Sequence, residues 1–318
     1  MPRTVTVGLD GSTESLAATE WAAREARLRG LPLRLVNVWE LVPEPMGRAP
    51  TPDTGTRRDP SEPGRPGTGP GRLLRERSDG IRLRHPGVDV TLEQRTGRPT
   101  DELVAAAEDA ELLVLGSRGL SGIAGFLLGS VGLHVVAHTE RPVVLVRARE
   151  RAADEHTPAP SGTPSAATPF RPVVLGLDTA HPDDTLIRFA FDAAARRETA
   201  LRVVHDWNPP PYFASGPREV PEPDPDLYID LDEDLRRRTA AALTTELRPY
   251  RQEFPAVEVI EEARPGKPAD HLIDASHDSS LLVVGRRIRH SPLGPHIGPV
   301  THAVLHHAAA PVAVVAHG

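Results

Sequence analysis

The chain has no cysteine, which excludes a disulfide framework, thiolate metal sites and a cysteine nucleophile. It is nearly as poor in lysine: Lys267 is the single one among 37 basic residues. A Walker A lysine in the first half is thereby excluded, and a Schiff-base cofactor would have only Lys267 to use. Aromatic residues make up 4% of the chain. No stretch approaches the eighteen or so apolar residues that span a bilayer, and the opening Met1–Gly8 lacks the apolar core of a signal peptide. The formal charge of −7 argues against nucleic acid as the main partner. These absences predict a cytoplasmic protein with no membrane and no nucleic-acid partner.

What is present is a duplication. Thr4-Val5-Thr6-Val7-Gly8-Leu9-Asp10 returns 168 positions later as Pro172-Val173-Val174-Leu175-Gly176-Leu177-Asp178. Leu33–Trp39 matches Leu201–Trp207, and Gly97–Asp101 matches Gly266–Asp270. Leu112–Gly116 matches Leu281–Gly285, and Arg141–Val146 matches Ala310–Val315. Landmarks kept in order at offsets of 168 or 169 mark two tandem copies. The copies are expected at 1–150 and 170–318. Residues 151–169, rich in Pro, Ser, Thr and Ala, read as a flexible linker. Pro-rich inserts at about 43–71 and 208–226 read as low-complexity loops.

Within each copy, short Val/Leu runs alternate with amphipathic stretches such as Leu16–Gly30, whose terminal glycine suits a helix end. Continuous apolar strands fit a parallel sheet covered on both faces. The order strand, helix, strand, insert, helix, strand, helix, strand, helix, strand predicts α/β architecture: two tandem, doubly wound, open parallel sheets. Ligands of such sheets sit at the carboxyl ends of the strands, where Asp10, Val38 and Gly116 fall.

The fourth strand of the first copy runs into Gly116-Ser117-Arg118-Gly119, and then, nine residues after Gly119, into Gly129-Ser130-Val131. Gly129 and Ser130 fall at the start of a predicted helix, where free N–H groups favour an anion, and Ser130 either caps that helix or offers its hydroxyl. His134 and His138, repeated by His302 and His306, have the spacing of a metal pair, but no third ligand or hydrolase-type Glu accompanies them, so no metal site is assigned. Asp101, Glu102 and Asp270 read as ordinary first-turn acids, and Asp224–Asp234 as a solvated loop leading into a helix.

The glycine spacing, the opening Val7-Gly8-Leu9-Asp10-Gly11-Ser12 and the closing Arg141–Val146 resemble the universal stress protein family, in both halves but not in the linker or inserts. The tandem form is common in actinobacteria, and arginine in place of lysine fits a GC-rich genome. The resemblance implies a Rossmann-like fold of the adenine nucleotide alpha hydrolase type, and ATP, with or without Mg2+, at the strand ends. Carried over, it places Asp10, Gly11 and Ser12 by the ribose or a phosphate-bound metal, and the Val38 backbone at the adenine edge. Gly116, Gly119, Gly129, Ser130 and Val131 would hold ribose and phosphates, and Arg118, between the first two glycines, would either contact phosphate or stay solvated.

The second copy departs from that pattern. Ile288 replaces Gly119, Pro299 replaces Ser130, and Asp206 replaces Val38, although Arg286, Arg287 and Arg289 remain to attract an anion. Its nucleotide motif is read as degenerate.

Three function classes stay open at this stage. They are a nucleotide-responsive regulatory module, a slow ATPase or nucleotidyl transferase, and a dimerising scaffold without nucleotide. No catalytic residue is assigned. The apolar last strands, Val143–Val146 and Val312–Val315, are expected to pair, either between the copies or between chains in a homodimer.

Overall fold

A computed structural model describes residues 3–40, 70–117, 129–207, 225–288 and 297–318. The first half runs β1 (Thr4–Gly8), α1 (Thr13–Arg29), β2 (Leu33–Trp39), α2 (Pro70–Arg84), β3 (Val90–Thr96), α3 (Pro99–Glu108), β4 (Ala110–Ser117), α4 (Ser130–His138) and β5 (Val143–Arg147). After a 3-10 turn at Ala152–Glu155, the second half repeats that order. It comprises β6 (Val173–Gly176), α5 (Asp184–Arg196), β7 (Leu201–Trp207), α6 (Pro225–Glu253), β8 (Val259–Pro265), α7 (Pro268–Ser276), β9 (Leu281–Arg287), α8 (Pro299–His307) and β10 (Val312–His317).

The strands form one ten-stranded sheet in the order β3-β2-β1-β4-β5-β10-β9-β6-β7-β8. Each half is parallel with a strand-order reversal between its first and fourth strands. The apolar last strands meet inside the chain: β5 and β10 pair antiparallel, with Val312 opposite Leu145 and Val314 opposite Val143. That leaves β3 and β8 as the outer edges.

Strand sequences are apolar without alternation because both faces are covered. Along β4, Leu112 and Val114 enter one core with Trp21, Ile81, Phe191, Leu243 and Leu247. Leu113 and Leu115 enter the other, with Leu103, Val135, Leu272 and Val304. Helices α1, α2, α5 and α6 therefore lie on one face, and α3, α4, α7 and α8 on the opposite one.

Residues 151–169, expected as a flexible linker, make bonds to both halves. The Glu155 side chain is 2% exposed and receives Arg24 Nε at 2.8 Å. The Arg171 N–H donates to Glu155 O at 2.9 Å, and the Thr157 N–H to Pro169 O at 2.9 Å. Composition counts apolar area and overlooks a buried charge partner supplied from α1. The acidic stretch expected as a loop is helical from Pro225 onward, so Asp226–Asp234 belong to α6. A proline at the first helical position followed by acids is a favourable helix start. The inserts, at 41–69 and 208–224, lie outside the described residues.

Candidate nucleotide site

The loop after β1 is built around Asp10. Its carboxylate accepts the Ser12 N–H at 2.9 Å and the Ser12 hydroxyl at 2.5 Å. Gly11 between them takes φ 85°, a left-handed conformation that favours glycine. Ser12 in turn caps α1, its oxygen accepting the Ser15 N–H at 3.1 Å. Partial burial pushes the Asp10 carboxyl up, but the Ser12 bonds outweigh it and hold the group below its ordinary range. A fixed, ionised carboxylate thus stands at the end of β1.

Asn37 latches this loop to β2, donating from Nδ2 to Leu9 O at 2.6 Å. In the second half His205 does the same, Nδ1 to Leu177 O at 2.8 Å. The latch is thus duplicated, from the second strand of each half to the residue after its first strand.

Around Asp10 lies a cavity of about 260 Å³ at the carboxyl ends of β1, β2 and β4. Of the residues expected at the site, Asp10, Ser12, Val38, Gly116, Gly129, Ser130 and Val131 line it. Gly11 shapes the loop without lining the cavity, while Arg118 and Gly119 lie outside the described residues. Leu103 and Leu115 add apolar wall, and Glu14 adds a second carboxylate. Pro99 and Leu103 escape a motif search because the repeated Gly97–Asp101 landmark reads as helix capping. Its recurrence at a constant offset is the signal that α3 has a further fixed job.

The two glycines have different reasons to be glycine. A Cβ on Gly116 would stand 2.5 Å from the backbone carbon of Glu14 and 2.7 Å from Ser15 N. Gly116 therefore lets the first turn of α1 pack on β4. Among the described residues, a Cβ on Gly129 would meet nothing within 4 Å, and its φ of −61° suits any residue. Gly129 rather than Ser130 is the N-cap of α4, so Ser130 is the first helical residue and its hydroxyl makes no capping bond.

The second half keeps a cavity at the matching place, larger at about 460 Å³. Asp206 lines it, its side chain 1% exposed and bonded by His271 Nδ1. Pro299 is the first residue of α8 and has no N–H to offer. Ile288 is tied to β10, its N–H donating to His317 O at 2.7 Å. Arg287 lines the cavity, whereas Arg286 is buried and turns to the first half, donating to Thr139 O at 2.6 Å. Arg289 lies outside the described residues.

His134 and His138 stack with ring centroids 3.8 Å apart, and His138 Nδ1 donates to His134 O at 2.7 Å. Among the described residues, no group of three or more His, Asp or Glu is placed to hold a metal ion. Among the same residues, no helix is long and apolar enough to cross a membrane.

Comparison with known proteins agrees with the duplicated architecture. The model of the Universal stress protein family matches residues 1–147 and again 169–316. The universal stress protein Rv1996 of Mycobacterium tuberculosis is 28% identical over 330 residues, covering 98% of this chain and 94% of that protein. The universal stress protein Rv2005c of the same organism is 29% identical over 314 residues, covering 98% and 96%. Among solved structures, a universal stress protein from Archaeoglobus fulgidus aligns over 99% of this chain and 98% of its own, with a TM-score of 0.59 at 16% identity. With both halves matched by the family model, the chain belongs to the universal stress protein family as a tandem pair of its domains.

Proposed function

We propose that the first half binds one adenine nucleotide, ATP, in the cavity around Asp10, and that its occupancy shifts a conformational or partner equilibrium. The observation that carries this reading is Gly129. Its φ of −61° suits any residue, and a Cβ there meets no atom of the described residues within 4 Å, so neither backbone strain nor packing among them calls for glycine. What it leaves is open space in front of α4, whose first-turn N–H groups have no partner within the helix and favour an anion. Val38, Leu103 and Leu115 offer an apolar wall to a base, and Asp10 and Ser12 offer polar groups to a ribose. Arg118 and Gly119, in the loop between β4 and α4, are assigned to the phosphates with Ser130 and Val131.

The donor set also fits Mg2+ carried on phosphate oxygens. Asp10 and Glu14 supply two carboxylates at the cavity, fewer than an all-protein cage takes. We read the module as binding and regulatory, and assign it no catalytic residue.

The second half is read as empty of nucleotide despite its larger cavity. Pro299 removes an anion donor from the start of α8, and the Asp206–His271 pair stands where the first half has the apolar Val38. Pairing between chains, if through strands, would use β3 or β8. The test is the nucleotide content of protein purified without added ligand, by mass spectrometry after denaturation. ATP near one per chain supports the reading; a chain that is empty and does not bind on titration overturns it.

A further inference from the structure

We propose that the seam between the two halves holds a pocket for a small phosphate ester, gripped by Arg147, Arg149 and Arg171. The pocket encloses about 300 Å³ and shares no lining residue with either strand-end cavity. Arg147 closes β5, and a turn in which the Glu150 N–H donates to Arg147 O at 3.1 Å folds Arg149 and Glu150 over the pocket. Arg171, just before β6, is already immobilised: Nε donates to His156 O at 2.9 Å and Nη1 to His277 O at 2.7 Å. A guanidinium fixed in advance loses little side-chain entropy when it takes a ligand. The buried Ser279 also lines the pocket, its hydroxyl donating to Ser276 O at 3.3 Å.

The charges in the pocket do not balance. Against three guanidinium groups stand two carboxylates, Asp154 and Glu150. Asp154 already accepts the Arg151 N–H at 2.9 Å. Burial pushes Glu150 up to about 8, with Glu155 and Asp154 adding to the rise and Arg24 and Arg147 opposing it. Arg171 and His277 face the pocket from the second half. Near neutral pH Glu150 is therefore uncharged, and the pocket is a positive enclave in a chain of net charge −7. Guanidinium groups gathered this way match the oxygens of a phosphate monoester, which they bind through paired N–H donors. The volume lies at the lower end of the range of about 300–1,000 Å³ for small-molecule sites. A bound anion would touch Arg147 of the first half and Ser279 of the second, on either side of the β5–β10 junction.

The test is calorimetric titration of the full chain with glycerol 3-phosphate, and separately with inorganic phosphate, at low ionic strength and pH 7. The expected result is saturable binding at one site per chain, weakened at least tenfold in Arg149→Glu. Arg149 is exposed, so that variant keeps the fold. Binding should persist in Gly129→Leu, which fills the strand-end cavity, and should weaken at pH 9 in the wild type but not in Glu150→Gln. Saturation by inorganic phosphate alone would reject an ester site. Binding of neither probe, indifference to Arg149→Glu, or loss in Gly129→Leu would each overturn the proposal.

Discussion

Arg197, at the end of α5, donates from Nη2 to Oε2 of Glu25 in α1 at 2.6 Å, with the two side chains 0% and 1% exposed. This is a salt bridge between the two copies, sealed from water. Arg29 holds the other oxygen of Glu25 at 2.6 Å and reaches Asp192 of the second half at 3.1 Å. The guanidinium of Arg197 also lies 6.0 Å from the Trp21 ring centroid and 5.7 Å from that of Phe170. The halves are thus joined by strand pairing within the sheet and by buried charge on the α1–α5 face.

Removing Arg197 leaves the buried Glu25 carboxylate with Arg29 as its remaining partner. Arg197→Met is expected to cost about 3–5 kcal/mol of stability, the range for breaking a buried pair. Urea denaturation of the full chain measures it. A loss below 1 kcal/mol would mean that water reaches Glu25.

Two carboxylates should bound the stability of the protein in pH. Burial opposes ionisation of Glu25, but Arg197 and Arg29 overcome it and hold the group at about 2 in the folded state, below the 4.5 of a free glutamate. Its contribution is present above 4.5 and is lost as pH falls towards 2. Glu150 has the opposite sign, raised to about 8, so its contribution is full below 4.5 and disappears as pH rises through 8. Melting temperature against pH should therefore decline on both sides. Glu150→Gln should flatten the alkaline limb and leave the acid limb unchanged; an unaltered alkaline limb would contradict this assignment.

Gly116 and Gly129 should separate under mutation. Gly116→Ala forces a Cβ into the backbone of Glu14 and Ser15, and overpacking of that kind costs about 1–3 kcal/mol. Gly129→Ala puts its methyl into open space at a φ any residue adopts, so its stability should change by less than about 1 kcal/mol. Thermal denaturation of both variants checks the contrast. Equal losses would show that Gly129 is also a packing residue.

The duplication was legible because buried parallel strands are written as apolar runs, and Leu112–Leu115 and Leu281–Val284 carry that signature at a fixed offset. Asp10, Val38 and Gly129 are legible as strand ends and a helix start, and the fold brings them to one cavity. Glu155 was not, because its partner Arg24 lies 131 positions away and nothing local marks the pair. A second role of Gly116 is illegible for the same reason: it lines the cavity, and the atoms that would exclude its Cβ belong to α1. Nothing local marks the partner of Asp206 either, since His271 reaches it from α7, 65 positions away. Local chemistry fixes strands and turns, while pairings across the fold require the fold.

The central claim is that nucleotide binds in the first half alone, and calorimetric titration of the full-length chain with ATP tests it most directly. The wild type should bind one equivalent, and Gly129→Leu, which fills the space before α4, should weaken that binding more than about tenfold, or roughly 1.4 kcal/mol. Two equivalents per chain, or undiminished binding in Gly129→Leu, would contradict it.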